Sequence, residues 1–439
     1  MHLKKLHGVH VPHNKNTAGM KPVRLPIPAS VVVPMSMGIG APAKPIVKPG
    51  DAVKVGQMIA EAGGFVSANI HSGVSGTVKK VAEMMGAMGR PMQTIEIATD
   101  GLQETYEDLQ VPEVHSLEDL LKAVKDSGVV GLGGAGFPTM VKLAVKDIDQ
   151  VRYIVVNGAE CEPFITSDTR TMLDRTDDMM TAARVLVEYL KPEKLIFGIE
   201  SNKPECIKSM NEAISGESRM EVKALPPMYP QGGEKVLIYH TTGGIVPEGK
   251  LPLDAGAVVL NVTTLAVIGQ FLKTGMPLVE KVVTIDGSAV KEPKNVIVPI
   301  GMKMKDVFEA AGGFTEEPAK VLYGGPMMGI AVPDLEQPVL KSTNALLAFN
   351  KKDAVLPEPS VCIRCGKCIQ HCPLNLMPAA IESAYKKGNM ERLDELKVNI
   401  CMECGCCSFG CPANRPLVQT NKLAKAQLMA WKKAKEAKK

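Results

Sequence analysis

Nine of the eleven cysteines lie between positions 362 and 411. They form two runs: CIRCGKCIQHCP supplies Cys362, Cys365, Cys368 and Cys372, and CMECGCCSFGCP supplies Cys401, Cys404, Cys407 and Cys411. Each run reads C-x2-C-x2-C-x3-C-P, the spacing of chains that hold two [4Fe–4S] clusters. Three thiolates so spaced reach three irons of one cubane from a tight loop, and the fourth, just before the proline, ligates the other cluster. The expected ligand sets are Cys362, Cys365, Cys368 with Cys411, and Cys401, Cys404, Cys407 with Cys372. Zinc ribbons pair CxxC knuckles and do not repeat this run. Disulfide scaffolds spread cysteines through short secreted chains, so the clustering indicates metal. Cys406 is spare. Cys161 and Cys206 stand alone, as buried structural cysteines do.

A second stretch, GLGGAGFPT at 131–139, places four glycines in six positions and has the look of a phosphate loop. A Rossmann G-x-G-x-x-G follows a strand, opens a helix and has an acidic residue about 20 positions on. Here a helical segment precedes, only Val129 and Val130 intervene, and the glycine spacing does not match. A P-loop continues Lys-Ser/Thr after its last glycine, whereas this loop continues Phe137-Pro138. What remains is a run of bare N–H groups entering a helix, TMVKLAVK, begun by Pro138 and Thr139 and carrying Lys142. That is an anion site, and an FMN phosphate suits it. A flavin also links clusters, which move one electron, to a hydride carrier, which moves two.

These residues need a scaffold, and 439 residues allow about three domains. The reading is a multidomain α/β chain. Residues 1–27 form an extended strap. Its His2, His7, His10 and His13 lack the carboxylate or cysteine pattern of a metal site. Residues 28–112 hold two β-ribbons, KPIVKPGDAVKVGQMIAEA and VSANIHSGVSGTVKKV, that resemble the lipoyl/biotinyl barrel-sandwich fold. The stretch from Ser67 to Ser72 lacks the carrier lysine, so the expected role is structural or docking. Residues 113–275 begin with helix HSLEDLLKAVKDS, with Ser116 as N-cap and Asp119 completing a capping box. VRYIVVNG, DRTDDMMTAARVLVEYL, EKLIFGIE and NKPECIKSMNEAI then alternate strand and helix, the pattern of a Rossmann-like layer with a parallel sheet. Residues 276–335 read strand, turn, strand, helix, a β-grasp unit. Residues 345–420, which include a proline-rich joint LPEPS leading into the cysteine region, form an α-helical, ferredoxin-like two-cluster domain. Residues 421–439 form a basic tail.

Net charge is +4, and the last 18 residues alone carry seven lysines and one glutamate. Nothing supports a whole-chain nucleic-acid partner. In the tail Leu423, Leu428, Met429 and Trp431 alternate with lysines, as in a segment on anionic lipid, on an acidic partner, or free in solvent. The N-terminus has no apolar signal region. The longest apolar window, Ala255 to Leu272, contains Asn261, Thr263, Thr264 and Gln270 and reads as a buried strand and helix, not a membrane span. The chain reads as cytosolic or docked on a membrane through partners.

GLGGAGFPTMVK, NGAECEP, YPQGGEKVLI and NVTTL resemble the flavin-site segments of the 51 kDa NADH-oxidising subunit of respiratory complex I, over roughly 120–330. The order of domains over about 30–420 resembles more closely the C subunits of Rnf complexes, with a barrel-sandwich, a flavin domain, a β-grasp (SLBB) unit and two clusters. The resemblance implies that Gly131, Gly133, Gly134 and Lys142 hold the phosphate of a non-covalent FMN. Asn157 and Glu160 would sit by the ribityl and ring, and Asn261 and Thr264 would close the phosphate side. Phe137 would stack on the nicotinamide nucleotide. Glu162 and Glu234 would line the NAD(H) pocket as the catalytic pair. Three positions depart from complex I: Leu132 replaces a basic residue, Ala159 an acidic one, and Gly233 the first of two glutamates.

The implied function is hydride exchange between NAD(H) and FMN, followed by single electrons through two [4Fe–4S] clusters. The setting is a peripheral subunit on the cytoplasmic face of a bacterial or archaeal membrane. Ferredoxin would donate through a partner, and integral-membrane and iron–sulfur partner subunits would move Na+ or H+. The alternatives are a soluble flavin/iron–sulfur reductase, of the cobalamin or amino-acid type, and a flavin-free docking module. The long β-domain before Gly131 argues against the cobalamin type, two complete cluster runs argue against the amino-acid type, and the retained glycine loop argues against the third.

Overall fold

A computed structural model describes residues 7–437. His2 and the final Lys438 and Lys439 of the basic tail lie outside the described residues.

From His7 the described chain runs largely without regular structure and is held by specific bonds. Val9 exchanges both backbone hydrogen bonds with Tyr229, at 2.9 and 3.0 Å. Lys15 Nζ donates to the carbonyls of Glu160, Glu162 and Ile165 at 2.8, 2.8 and 2.5 Å. All three ammonium protons thus find acceptors, which offsets the cost of burying that group. The strap ends in β1 (Val23–Arg24).

Seven strands follow: β2 (Ser30–Pro34), β3 (Lys44–Pro45), β4 (Ala52–Val53), β5 (Met58–Glu61), β6 (Ile70–His71), β7 (Gly76–Met85) and β8 (Pro91–Thr99). They form two antiparallel sheets, ordered β2-β8-β7-β4 and β3-β5-β6. Val31, Val33, Ile95 and Ile97 alternate inward and are fully buried, as the two-residue period of a half-buried strand requires. The hairpin from Ser67 to Ser72, where a carrier domain would expose its lysine, is buried here. Lys341 reaches in from a distant segment, and its Nζ bonds Gly128 O at 2.7 Å and also Asn69 O.

His71 lies in that hairpin, and its Nδ1 is buried without a partner. Burial, aided by the Lys341 charge, pushes its pKa down to about 3. The unfolded chain therefore takes up a proton near pH 6.5 that the folded chain refuses, and stability falls as pH drops through that window. The expected loss is about 1.4 kcal/mol per pH unit, roughly 2 kcal/mol by pH 5. Amide exchange of β7 and β8 should quicken accordingly between pH 7 and 5, after correction for intrinsic rates. In His71→Gln that pH dependence should vanish; an unchanged slope would exclude His71 as its source.

The α/β layer comprises α1 (Leu117–Asp126), α2 (Thr139–Leu143), β9 (Tyr153–Gly158), α3 (Ser167–Asp174), α4 (Thr176–Leu190), β10 (Lys194–Glu200), α5 (Pro204–Ala213), β11 (Met220–Leu225), α6 (Glu234–Thr242), β12 (Ala257–Asn261) and α7 (Val262–Thr274). Ser116 caps α1, its side chain accepting from Asp119 N at 3.1 Å. The four strands are parallel in the order β11-β10-β9-β12. The chain runs outward from β9 through β10 to β11, then returns to β12 on the opposite side of β9. That reversal opens a crevice at the carboxyl ends of β9 and β12, where ligands bind in open α/β sheets. Asn157 and Asn261 face each other in register at this edge. α3 and α6 escape a sequence reading because they are buried around most of their circumference and show no apolar stripe.

The β-grasp unit contains β13 (Glu280–Asp286), β14 (Lys294–Pro299), α8 (Met304–Ala310), β15 (Lys320–Tyr323), β16 (Ile330–Ala331) and β17 (Ala345–Phe349). Its sheet runs β1-β14-β13-β17-β15-β16. Two expected boundaries are corrected here. The sheet takes β1 from the N-terminal segment assigned to 1–27 and β17 from the segment assigned to the cysteine domain. Every residue of β17, ALLAF, is buried, so this strand is a central one between β13 and β15 and cannot be a linker.

The cysteine region is helical: α9 (Lys351–Ala354), α10 (Lys367–Gln370), α11 (Pro378–Lys386), α12 (Met390–Glu395), α13 (Cys406–Phe409) and α14 (Leu417–Glu436). The single turns α10 and α13 each follow a glycine with left-handed φ, Gly366 at 77° and Gly405 at 83°. That conformation lets each loop double back on its cysteines. The basic tail is a further correction. Its residues 421–436 are all but the first turn of α14, which buries Ala424 and Leu428 against α11 and α12, so they belong to this unit. Among the described residues, no helix is long and apolar enough to cross a membrane.

Candidate functional site

The glycine loop sits over the crevice between β9 and β12. Leu132 anchors it. This residue, basic in complex I, is fully buried in the main core, and truncating such a side chain costs about 2–5 kcal/mol. Leu132 N donates to Thr264 Oγ1 at 2.9 Å, and Gly131 N donates to Phe137 O at 2.8 Å. The N–H groups of Gly133, Gly134 and Ala135 take no partner among the described residues and are exposed. Gly134 has φ 128°, with open space where a Cβ would stand, while a Cβ on Gly133 would meet Asn261 Nδ2 at 3.2 Å. Three free donors in an open glycine turn make a nest for an anion.

The helix served by this nest is not the expected one. The segment after Pro138 is helical only over the five residues of α2. The loop is instead tied to the first turn of α7, thirteen residues long. Asn261 caps that helix, its Oδ1 accepting from Thr263 N at 2.9 Å and Thr264 N at 3.2 Å. Asn261 Nδ2 in turn donates to Asp168 Oδ2 at 2.7 Å. The positive end of α7 therefore adds to the nest. Lys142 is beside it, bonded to Glu234 Oε1 at 2.9 Å and to Val259 O at 3.2 Å. Asn157 closes the other wall, donating to Gly232 O at 2.9 Å. Phe137 is half-buried at the end of the loop. The crevice thus offers free N–H donors, a lysine and a helix N-terminus, the donor chemistry an FMN phosphate requires.

Glu160 is placed otherwise than expected. It does not present its carboxylate to the crevice. Its Oε1 accepts from Asp168 N at 2.6 Å, and its Oε2 accepts from the Thr169 hydroxyl at 2.6 Å. It caps α3 from below, and burial raises its pKa to about 7. Glu162 and Glu234 take different partners. Glu234 belongs with Lys142. Glu162 accepts from the backbone N–H groups of Met327 and Met328 at 3.0 and 2.8 Å, which clamps the β-grasp unit to the flavin-site wall. Burial pushes its pKa up and those two bonds oppose the shift.

The cysteines gather in crossed sets. Cys362, Cys365, Cys368 and Cys411 line one cavity of about 200 Å³. Cys372, Cys401, Cys404 and Cys407 line a second, with Cys406. Four thiols around a largely apolar space, edged by Arg364 and Arg415 in the first cavity and by Asn421 in the second, are the donors a [4Fe–4S] cluster would need. The two sets differ in setting. The members of the second are all buried, whereas Cys365 is exposed and the rest of the first set are intermediate.

The second set is packed against the flavin-site wall. Cys404 and Cys406 share an apolar cluster with Val9, Cys161 and Tyr229, joined by Met327 and Met402. Gly405 approaches the β-grasp loop so closely that a Cβ there would lie 2.9 Å from Met327 O. Gly233 explains one departure from complex I. A Cβ at this position would come within 2.1 Å of Met402 Cε, so Met402, from the second cysteine run, fills the space a glutamate would need. Ala159, another departure, is fully buried and gives its carbonyl to Lys203 Nζ at 2.6 Å.

Sequence reasoning missed Asp168, Lys15, Tyr229 and Met402. Asp168 carries a local signal, an acidic residue in the first turn of a helix. The others have none, because their partners lie far along the chain.

Comparison with known families places these parts in a class of flavin-binding proteins. Residues 124–270 match the family model described as the Nuo51 FMN-binding domain, 3–102 the RnfC barrel sandwich hybrid domain, and 282–331 the SLBB domain. The chain is 42% identical, over 85% of its length and 82% of the relative, to the C subunit of the proton-translocating ferredoxin:NAD(+) oxidoreductase complex of Clostridium ljungdahlii. It is 41% identical, over 96% of both chains, to the C subunit of the Na(+)-translocating ferredoxin:NAD(+) oxidoreductase complex of Acetobacterium woodii. The chain belongs to this family, the C subunits of Rnf-type ion-translocating oxidoreductase complexes. A solved NAD+-reducing [NiFe]-hydrogenase shares the fold, with TM-score 0.51 and 18% identity over 71% of this chain and 63% of the hydrogenase chain, under two thirds of its length.

Proposed function

We propose that the chain is the NAD(H)-reacting subunit of an ion-translocating ferredoxin:NAD+ oxidoreductase, peripheral on the cytoplasmic face of the membrane, and that it holds one FMN and two [4Fe–4S] clusters. The observation that carries this reading is the second cysteine set pressed against the wall of the flavin crevice. When bound, FMN divides the two electrons of a hydride and the clusters pass them singly.

The residues of the chain supply the rest. Gly133, Gly134 and Ala135 present backbone N–H groups to the FMN phosphate, and Lys142 supplies charge. Asn157 and Asn261 define the crevice walls. Glu234 is placed to answer Lys142 from the nucleotide side. Lys15 and Glu162 lock the strap and the β-grasp loop around the crevice, which keeps the second cysteine set in place. Residues 351–436 act as the ferredoxin-like two-cluster domain, with Cys372, Cys401, Cys404 and Cys407 on the flavin side and Cys362, Cys365, Cys368 and Cys411 outward. Ferredoxin electrons arrive through partner subunits, and the membrane partners move the ion. The relatives named for protons and for sodium match this chain almost equally, at 42% and 41%, which supports ion choice outside this subunit.

The test is anaerobic purification with flavin and iron quantified together, followed by NADH addition under EPR. About one FMN and about eight irons per chain are expected, with cluster signals appearing on NADH addition. Eight irons with no flavin and no NADH response would reject the reading in favour of a cluster wire.

A further inference from the structure

The outward cysteine set opens on a surface that the fold does not use. From Val355 to Gly366 the chain has no regular structure, and nearly every residue is exposed. Val355, Leu356, Val361 and Ile363 are 64, 79, 82 and 68% exposed. Scattered exposed apolar residues need no explanation, but these four fall within nine residues and lead to the mouth of the cavity that holds Cys365. Met377 and Phe409 add exposed apolar surface nearby in the same helical unit. The strip is not loose. Ser360 N bonds Ala413 O at 2.9 Å, and Arg415 Nη1 bonds Ser360 O at 3.0 Å. It is held out as an extended, apolar ledge.

Its charge leans to one sign. Between positions 361 and 381 there is no Asp or Glu, while Arg364 and Lys367 are present and exposed. Lys351 and Lys352 flank the ledge on the N-terminal side, and Asp353 and Glu358 are the acids set against these four cations. The cavity mouth itself is therefore purely basic. Arg415 is engaged, with its guanidinium on the buried Glu382. An apolar centre with a basic rim is complementary to an apolar patch with an acidic rim. Because Cys365 faces outward, an electron carrier seated on the ledge would come as near to this set as the fold permits. The second cysteine set is closed to such an approach by the flavin-site wall.

We propose that the ledge from Val355 to Ile363, with the mouth of the Cys362–Cys411 cavity, is the docking face for an acidic-rimmed, electron-carrying protein subunit. This rests on the two-cluster reading above.

The test uses the full holo-subunit and membranes that carry the other subunits of the complex but lack this chain. Leu356→Glu/Val361→Glu changes two exposed side chains that ligate nothing. Co-sedimentation should weaken by at least about ten-fold, the effect of charges in an apolar interface centre, and wild-type binding should weaken as salt is raised. Iron content and NADH-driven cluster reduction of the isolated variant should match wild type, which shows that it is folded and loaded. Wild-type affinity in the variant would overturn the proposal. So would an equal loss of binding to protein-free phosphatidylglycerol vesicles, which would make the ledge a lipid surface. If the isolated wild-type chain did not respond to NADH, the functional reading would fail while sedimentation still decided the docking face.

Discussion

Cys372→Ala should remove the cluster at the flavin wall and silence the chain toward NADH, whereas Cys411→Ala should remove only the outward cluster. Each variant is expected to lose about four of about eight irons. They differ in what survives. Cys372 lies in the first run by sequence, but lines the second cavity with Cys401, Cys404 and Cys407. Its loss therefore empties the set packed on Tyr229, Cys161 and Met327. The remaining outward set then has no near neighbour in the flavin wall, and its reduction by NADH should slow by more than about 100-fold, as lost reactive geometry does elsewhere. Cys411→Ala leaves the flavin-side set whole, so NADH should reduce it at the wild-type rate. Rapid-freeze EPR of both variants separates the cases. Reversed phenotypes would mean that each run closes its own cluster, and the crossed assignment would be wrong.

FMN should be lost from Gly133→Asp without loss of iron. A Cβ at 133 would already stand 3.2 Å from Asn261 Nδ2, and the added carboxylate would occupy the nest of free N–H groups meant for a phosphate. Lys142→Ala is the milder companion. It removes one charge-assisted bond, which is worth about 1.5–3 kcal/mol, or roughly 10- to 100-fold in FMN affinity. It also leaves Glu234 without its cation, so the crevice becomes more negative and the loss should lie toward the upper end. Flavin fluorescence titration of the apo-chain measures both, with iron content as the control. Stoichiometric FMN at unchanged affinity in Lys142→Ala would place the phosphate elsewhere.

Much of the scaffold is legible in the sequence where burial is one-sided. α1, α4 and α5 show apolar stripes, with a recognisable cap at Ser116 for α1 and a proline start for α5, and β9, β10 and β12 show short apolar runs. α3 and α6 do not, because the surrounding layers cover them on most sides. β1 and β17 are hidden for a different reason. Each is a short segment whose strand state depends on a partner elsewhere in the chain, β14 for one and β13 with β15 for the other. The site divides along the same line. Asn261 and Thr264 sit in a local cap and can be read from NVTTL. Glu160 and Glu162 sit in a motif that invites a role at the flavin, yet their carboxylates go to α3 and to the β-grasp loop.

The sequence alone determined which atoms could do chemistry. Thiolate spacing on a tight loop is a local property, so eight candidate ligands and the expectation of a crossed pairing followed from two runs of twelve residues. The glycine loop likewise excluded two nucleotide folds by its immediate context. Tertiary structure decided what those groups face. It turned one cysteine set to the flavin wall and the other to solvent, put Met402 where a glutamate would stand, and set Lys142 against Glu234. These outcomes come from long-range packing: a buried polar group must take whichever donor or acceptor the fold brings to it, and no neighbour in the chain names that partner.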